Sequence, residues 1–72
     1  MKKINKIKIK VNGKNKTIDK GSSLHELVEG LKIPIKKVAI EFNKEIVNKK
    51  KIKKIKLQNN DVVEIVHFIG GG

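Results

Sequence analysis

The order of patterned segments in this 72-residue chain predicts an α+β fold: one mixed sheet of four to five strands with a single main helix across one face. Three observations carry the prediction. Residues at both ends of the chain show strand patterns, strictly alternating near the start and strongly apolar over 62–69. Only one stretch, 24–31, has helical periodicity, and it follows a two-strand unit directly. No repeat, linker or composition shift divides the chain, and a sequence this short supports one core.

The elements follow in order. Ile7, Ile9 and Val11 alternate with Lys6, Lys8 and Lys10, the pattern of a half-buried strand. Asn12-Gly13 comes next, a strong hairpin signal because both residues tolerate φ > 0. Thr17 and Ile18 close a short second strand. Asp19-Lys20-Gly21-Ser22 is loop chemistry, and Ser23-Leu24-His25-Glu26 matches a capping box at a helix start. Leu24, Leu27, Val28 and Leu31 then form one apolar stripe, with Gly30 near its end and Pro34 forbidding continuation. Val38-Ala39-Ile40-Glu41-Phe42 reads as a strand, Asn43-Lys44 as a turn and Ile46-Val47 as a short return. The lysine-rich stretch 49–57, anchored only by Ile52, Ile55 and Leu57, fits neither template and reads as a loop leading into a short strand. Gln58-Asn59-Asn60-Asp61 is a turn, and 62–69 is the most apolar strand, running straight into Gly70-Gly71-Gly72.

A hairpin, a crossover helix and further strands ending in one apolar on both faces place that last strand at the sheet centre beneath the helix. This is the β-grasp, or ubiquitin-like, arrangement. It assigns residues 1–69 to the domain and 70–72 to a flexible glycine tail.

Composition narrows the function. Ile, Leu, Val and Phe make up 25 of the 72 residues, well above the level that signals disorder. Without Cys there is no disulfide scaffold, thiolate metal site or cysteine nucleophile. No apolar run is long enough to span a bilayer and the N-terminus lacks a signal-peptide core, so a soluble, cytoplasmic protein with no membrane partner is expected. The net charge of +11 invites a nucleic-acid reading. Two features argue against it. Every basic residue is Lys and none is Arg, the residue of specific base contacts, and the only aromatics are Phe42 and Phe68. Lys, Ile and Asn together account for 37 residues, so the charge reads as compositional bias and a solvated lysine surface.

The body of the domain offers no catalytic constellation. His25 and His67 have no spacing that makes a metal site; His25 reads as an exposed residue of the first helical turn and His67 as a packed strand residue. Ser23 is accounted for by capping. Gly13 and Gly21 are isolated turn glycines. The chemistry therefore falls on the tail. A terminal Gly72 carboxylate, with a reference pKa of about 3.3–3.7, is an anion at neutral pH. Gly70 and Gly71, lacking Cβ atoms, give it access through a narrow channel. A tethered carboxylate of this kind can attack the α-phosphorus of ATP in a partner's site. Strand alternation adds a docking face: Glu64 is the one charge in an apolar run, so it faces outward, and period-two geometry puts Val66 and Phe68 beside it. Val63 and Ile65 then face the core. Glu64, Val66, Phe68 and the adjoining Ile69 are the candidate partner-binding residues.

The run Asp61-Val62-Val63-Glu64-Ile65-Val66-His67-Phe68-Ile69-Gly70-Gly71-Gly72 closely resembles the C-terminal signature of the ThiS family, the sulfur carriers of thiamine biosynthesis. Ile9-Lys10-Val11-Asn12-Gly13, Leu24-His25-Glu26-Leu27 and Val38-Ala39-Ile40-Glu41-Phe42-Asn43-Lys44-Glu45-Ile46-Val47 are similar to further stretches of the same family. The resemblance covers nearly the whole chain beyond about five extra N-terminal residues. The molybdopterin-synthase small subunits also end in Gly-Gly but usually carry prolines just before it, and this tail has none. Segment 49–56 departs from the family pattern in being more basic.

The resemblance implies a non-enzymatic carrier with no cofactor or metal of its own. A ubiquitin-activating-like (ThiF-like) adenylyltransferase uses ATP and Mg²⁺ to adenylate the Gly72 carboxylate. Sulfur from a cysteine desulfurase or another sulfur donor then leaves a thiocarboxylate there, and thiazole synthase (ThiG-like) accepts that sulfur. Three readings compete: this carrier; a molybdopterin or tRNA-thiolation carrier, or a protein modifier, of the same fold; and a small basic RNA-binding domain with an incidental tail.

Overall fold

The computed structural model describes residues 5–68. Its elements are strands β1 (Lys6–Val11) and β2 (Lys14–Asp19), helix α1 (Leu24–Gly30), strands β3 (Val38–Phe42) and β4 (Glu45–Ile46), and strand β5 (Val62–His67). Two 3-10 segments join them, Ile35–Lys37 before β3 and Lys49–Lys54 after β4. The five strands form one mixed sheet in the order β2-β1-β5-β3-β4, with β5 parallel to β1 and antiparallel to β3.

Alternation along β1 has the consequence expected of it. Ile7 and Ile9 are buried and Lys6, Lys8 and Lys10 exposed. The buried set packs with Leu24, Leu27 and Val28 of α1 and with Val38, Ile40, Ile52, Leu57, Val63 and Ile65 in one core between helix and sheet. Helix α1 starts where the capping box puts it: Ser23 Oγ accepts the Glu26 amide at 3.0 Å, and Glu26 Oε1 accepts the Ser23 amide at 2.8 Å. Its C-terminal left-handed residue is Lys32 (φ 58°), two positions beyond Gly30.

Both hairpins use two-residue turns with positive φ at each central residue, Asn12 (51°) and Gly13 (83°), then Asn43 (51°) and Lys44 (72°). The two turn asparagines do a second job. Asn12 Oδ1 accepts the Ile65 amide at 2.7 Å, and Asn43 Oδ1 accepts the Val62 amide at 2.8 Å. β5 is thereby tied at one edge to the first hairpin and at the other to the second.

Several expectations need correction. Segment 49–57 is not a loop leading into a strand. Asn48 caps a 3-10 helix by accepting the Lys50 amide through Oδ1 at 2.9 Å, Ile52 is fully buried, and only an isolated bridge pairs Lys56 with Ser23. The bridge region is nonetheless firmly held, since the Leu24 amide donates to Ile55 O and the Leu57 amide to Ser22 O, both at 2.8 Å. β2 is longer than Thr17 and Ile18, because pairing with β1 supplies hydrogen bonds where apolar signal is missing. The described strand β5 ends at His67, and its outer face is open to solvent; being apolar on both faces does not mean being covered on both. His67 is exposed, not packed. His25 is half-buried, with Nε2 3.8 Å from Glu29 Oε2 one helical turn on.

Candidate functional site

β5 is the element that points toward the C-terminus, and the sheet fixes its faces. Val63 and Ile65 are buried against α1, while Glu64, Val66 and Phe68 are exposed, the last two at 55% and 54%. Antiparallel register puts Ala39 opposite Val66 and Glu41 opposite Glu64, and Glu41 also faces Ile46 across the β3–β4 pair. Directly opposed side chains share a face. The outer face therefore carries Ala39, Val66 and the 75%-exposed Ile46 around the paired carboxylates of Glu41 and Glu64. Lys6, Lys8 and Lys10 on β1 give the other half of that face a positive charge. Like charges in directly opposed positions destabilise a sheet, and among the described residues neither carboxylate has a lysine within ion-pair distance.

The end of β5 is fastened separately. The Phe68 amide donates to Lys37 O at 2.9 Å, extending the β3 pairing by one residue beyond the strand. Lys49, the first residue of the second 3-10 helix, sends its Nζ to Ile35 O at 3.0 Å and Val38 O at 2.7 Å, and the same ammonium lies 5.3 Å from the centroid of the Phe68 ring.

Ile69, Gly70, Gly71 and Gly72 lie outside the described residues. Sequence reasoning missed Ile46 as part of the outer face. The two-residue Asn43-Lys44 turn places Ile46 opposite Glu41, so register counting across that turn is the signal that finds it. It also missed Lys49, for which one lysine among eighteen gives no signal. Among the described residues no group of three or more His, Asp or Glu side chains can hold a metal ion, and no helix is long and apolar enough to cross a membrane.

A five-stranded β-grasp sheet that carries its central strand directly toward a glycine run is the architecture of a ubiquitin-like carrier domain. Comparison with known proteins narrows the class. The model of the ThiS family matches residues 9–72, which includes the whole glycine run. The sulfur carrier protein ThiS of Bacillus subtilis is 37% identical over 65 residues, covering 89% of this chain and 98% of that protein. The crystal structure of the thiamine biosynthesis protein ThiS from Geobacter metallireducens superposes with a TM-score of 0.80 at 30% identity, covering 92% of this chain and all of that one. A thiazole synthase of Magnetococcus marinus is 41% identical over 66 residues; the chain spans 20% of the length of that protein. The chain belongs to the ThiS family, the small sulfur carriers of thiamine biosynthesis.

Proposed function

We propose that the chain carries sulfur as a thiocarboxylate on Gly72. The observation that supports this most directly is that the family match runs through Gly70-Gly71-Gly72 to residue 72. In the proposed cycle a Gly72 carboxylate oxygen attacks the α-phosphorus of ATP, bound with Mg²⁺ in a ubiquitin-activating-like adenylyltransferase, and pyrophosphate leaves. The terminal sulfur of a persulfide, supplied by a cysteine desulfurase or a similar donor, attacks the acyl carbon and AMP leaves. A thiol then cleaves the acyl disulfide, and the thiocarboxylate remains. The chain acts as a protein cosubstrate, its own residues presenting and aiming the carboxylate.

Thiazole synthase is the proposed acceptor. Support comes from the thiazole synthases of Magnetococcus marinus and Paramagnetospirillum magneticum, each of which contains a stretch similar to 92% of this chain. The proposed docking surface is the outer face near the tail: Val66 and Phe68 as apolar anchors, Glu64 for charge complementarity and Ile69 at the start of the channel, with Ile46 and Glu41 extending the same face. In this reading the compartment is the cytoplasm.

The test is mass spectrometry of the chain after incubation with the adenylyltransferase, ATP and a sulfur donor. Wild type gains the difference between a sulfur and an oxygen atom. Deleting Gly72 shortens the reach of the carboxylate by one residue, up to about 3.6 Å in an extended tail, which exceeds the tolerance for in-line attack, so the gain disappears. Normal thiocarboxylate formation by the deletion variant overturns the proposal.

A further inference from the structure

Phe68, the last described residue, is held at two points that share one small part of the fold. Its amide is bonded to Lys37 O, and its ring lies under the Lys49 ammonium. The ammonium in turn is bonded to Ile35 O and Val38 O, which flank Lys37 on either side. Two of its three protons are taken by carbonyls at 3.0 and 2.7 Å, so the cation has a fixed position and not the free sweep of a surface lysine. The neighbouring Lys50, Lys51, Lys53 and Lys54 are all exposed, whereas Lys49 is half-buried. The buried Ile52 locks the 3-10 helix that carries Lys49 into the core.

We infer that Lys49 is a positioning residue: it pins Phe68 and so fixes the direction in which the chain leaves the sheet toward Gly72. The inference rests on the carrier reading above for its consequence, and on the geometry alone for the pin. Four residues separate Phe68 from the terminal carboxylate, at most about 14 Å of chain, so where Phe68 sits on a docked carrier sets the centre of the region that carboxylate searches. Productive attack requires reacting atoms within roughly 3–3.5 Å in the right orientation. Lys49 holds the Phe68 ring without being part of the outer face, and Val66 and Ile46 keep that face's apolar contacts, so a loose Phe68 acts chiefly by lowering the fraction of docked carriers that can react. The effect belongs in kcat and not in KM.

The experiment uses the full chain with Lys49→Met, which keeps the aliphatic stem and removes the charge and its donors. Amide exchange followed by NMR reads the pin directly. In the variant the Phe68 amide exchanges about tenfold faster, while core amides such as that of Ile40 are unchanged. With the adenylyltransferase, ATP and a sulfur donor, kcat for thiocarboxylate formation falls about tenfold and KM stays within about twofold. Adding Lys49→Met to Phe68→Ala produces no further loss in kcat, because the ring the cation holds is already gone. Unchanged Phe68 exchange overturns the pin, whatever the carrier does. Faster exchange with unchanged kcat, or a loss confined to KM, overturns the aiming role. If wild type itself forms no thiocarboxylate, the carrier reading fails and the aiming role with it, and the exchange arm still decides the pin. Should Lys49→Met lose its cooperative fold, Phe68→Leu, which removes the ring's π-face and keeps apolar bulk, gives the same exchange reading and the same fall in kcat, with KM left out of the comparison because Phe68 also docks.

Discussion

Ile65 and Val66 are neighbours on β5 whose side chains point to opposite faces, and exchanging each for Ala separates folding from docking. Ile65 is 7% exposed and lies in the core with Val63 and Ile40. Truncating a buried Ile to Ala costs about 2–5 kcal/mol, from lost transfer energy and the cavity left behind. A domain of this size has a total stability of roughly 4–11 kcal/mol at the usual 0.05–0.15 per residue, so the substitution removes a large share. At about 4–8 °C per kcal/mol, a 3 kcal/mol loss lowers the melting temperature by about 12–24 °C. Val66 is 55% exposed and faces Ala39 across the strand pair. Removing its two methyl groups loses at most about 1 kcal/mol of burial and strand preference together. As an anchor for a partner, however, it contributes about 1–2 kcal/mol, a roughly five- to thirtyfold rise in KM for adenylation. Urea titration followed by circular dichroism reads the first quantity, and adenylation at a temperature where both variants are folded reads the second. Ile65→Ala is destabilised with near-normal KM; Val66→Ala is stable with a raised KM. The opposite pattern, an unfolded Val66→Ala beside a silent Ile65→Ala, would refute the assignment of faces.

Two further outcomes follow from segment 49–54. Ile52→Ala removes a fully buried side chain from the 3-10 helix and lowers stability in urea by about 2–5 kcal/mol, whereas a loop residue in that position would change it by less than about 0.5. Changing Lys50, Lys51, Lys53 and Lys54 together to Gln leaves kcat intact, and any loss is a slower association rate that salt abolishes, because exposed charges act through steering screened over about 8–10 Å; a loss that persists at every salt concentration instead marks specific partner contacts.

The features legible in the sequence are those whose cause is local. The alternation of Ile7 and Ile9 with lysines, the Asn12-Gly13 turn, the Ser23–Glu26 capping box and the lone Glu64 among apolar neighbours each act within a few residues, and each has its expected geometry in the structure. They suffice for the element order, the β-grasp class and the two faces of β5. What tertiary structure alone decided depends on groups far apart in the chain. Residues 49–54 have one buried side chain in a run of lysines, too little for any periodic signal, and they form a 3-10 helix because Ile52 finds a place in a core built by α1 and the sheet. Asn12 and Asn43 read as turn residues, yet their side-chain oxygens complete the hydrogen bonding of β5, 53 and 19 residues away. Lys49 carries the same charge as its neighbours and is set apart by the two carbonyls and the aromatic ring that folding brings around its ammonium. Sequence pattern encodes which way a side chain faces, because backbone geometry is periodic; which partner it meets there is fixed only when distant segments pack.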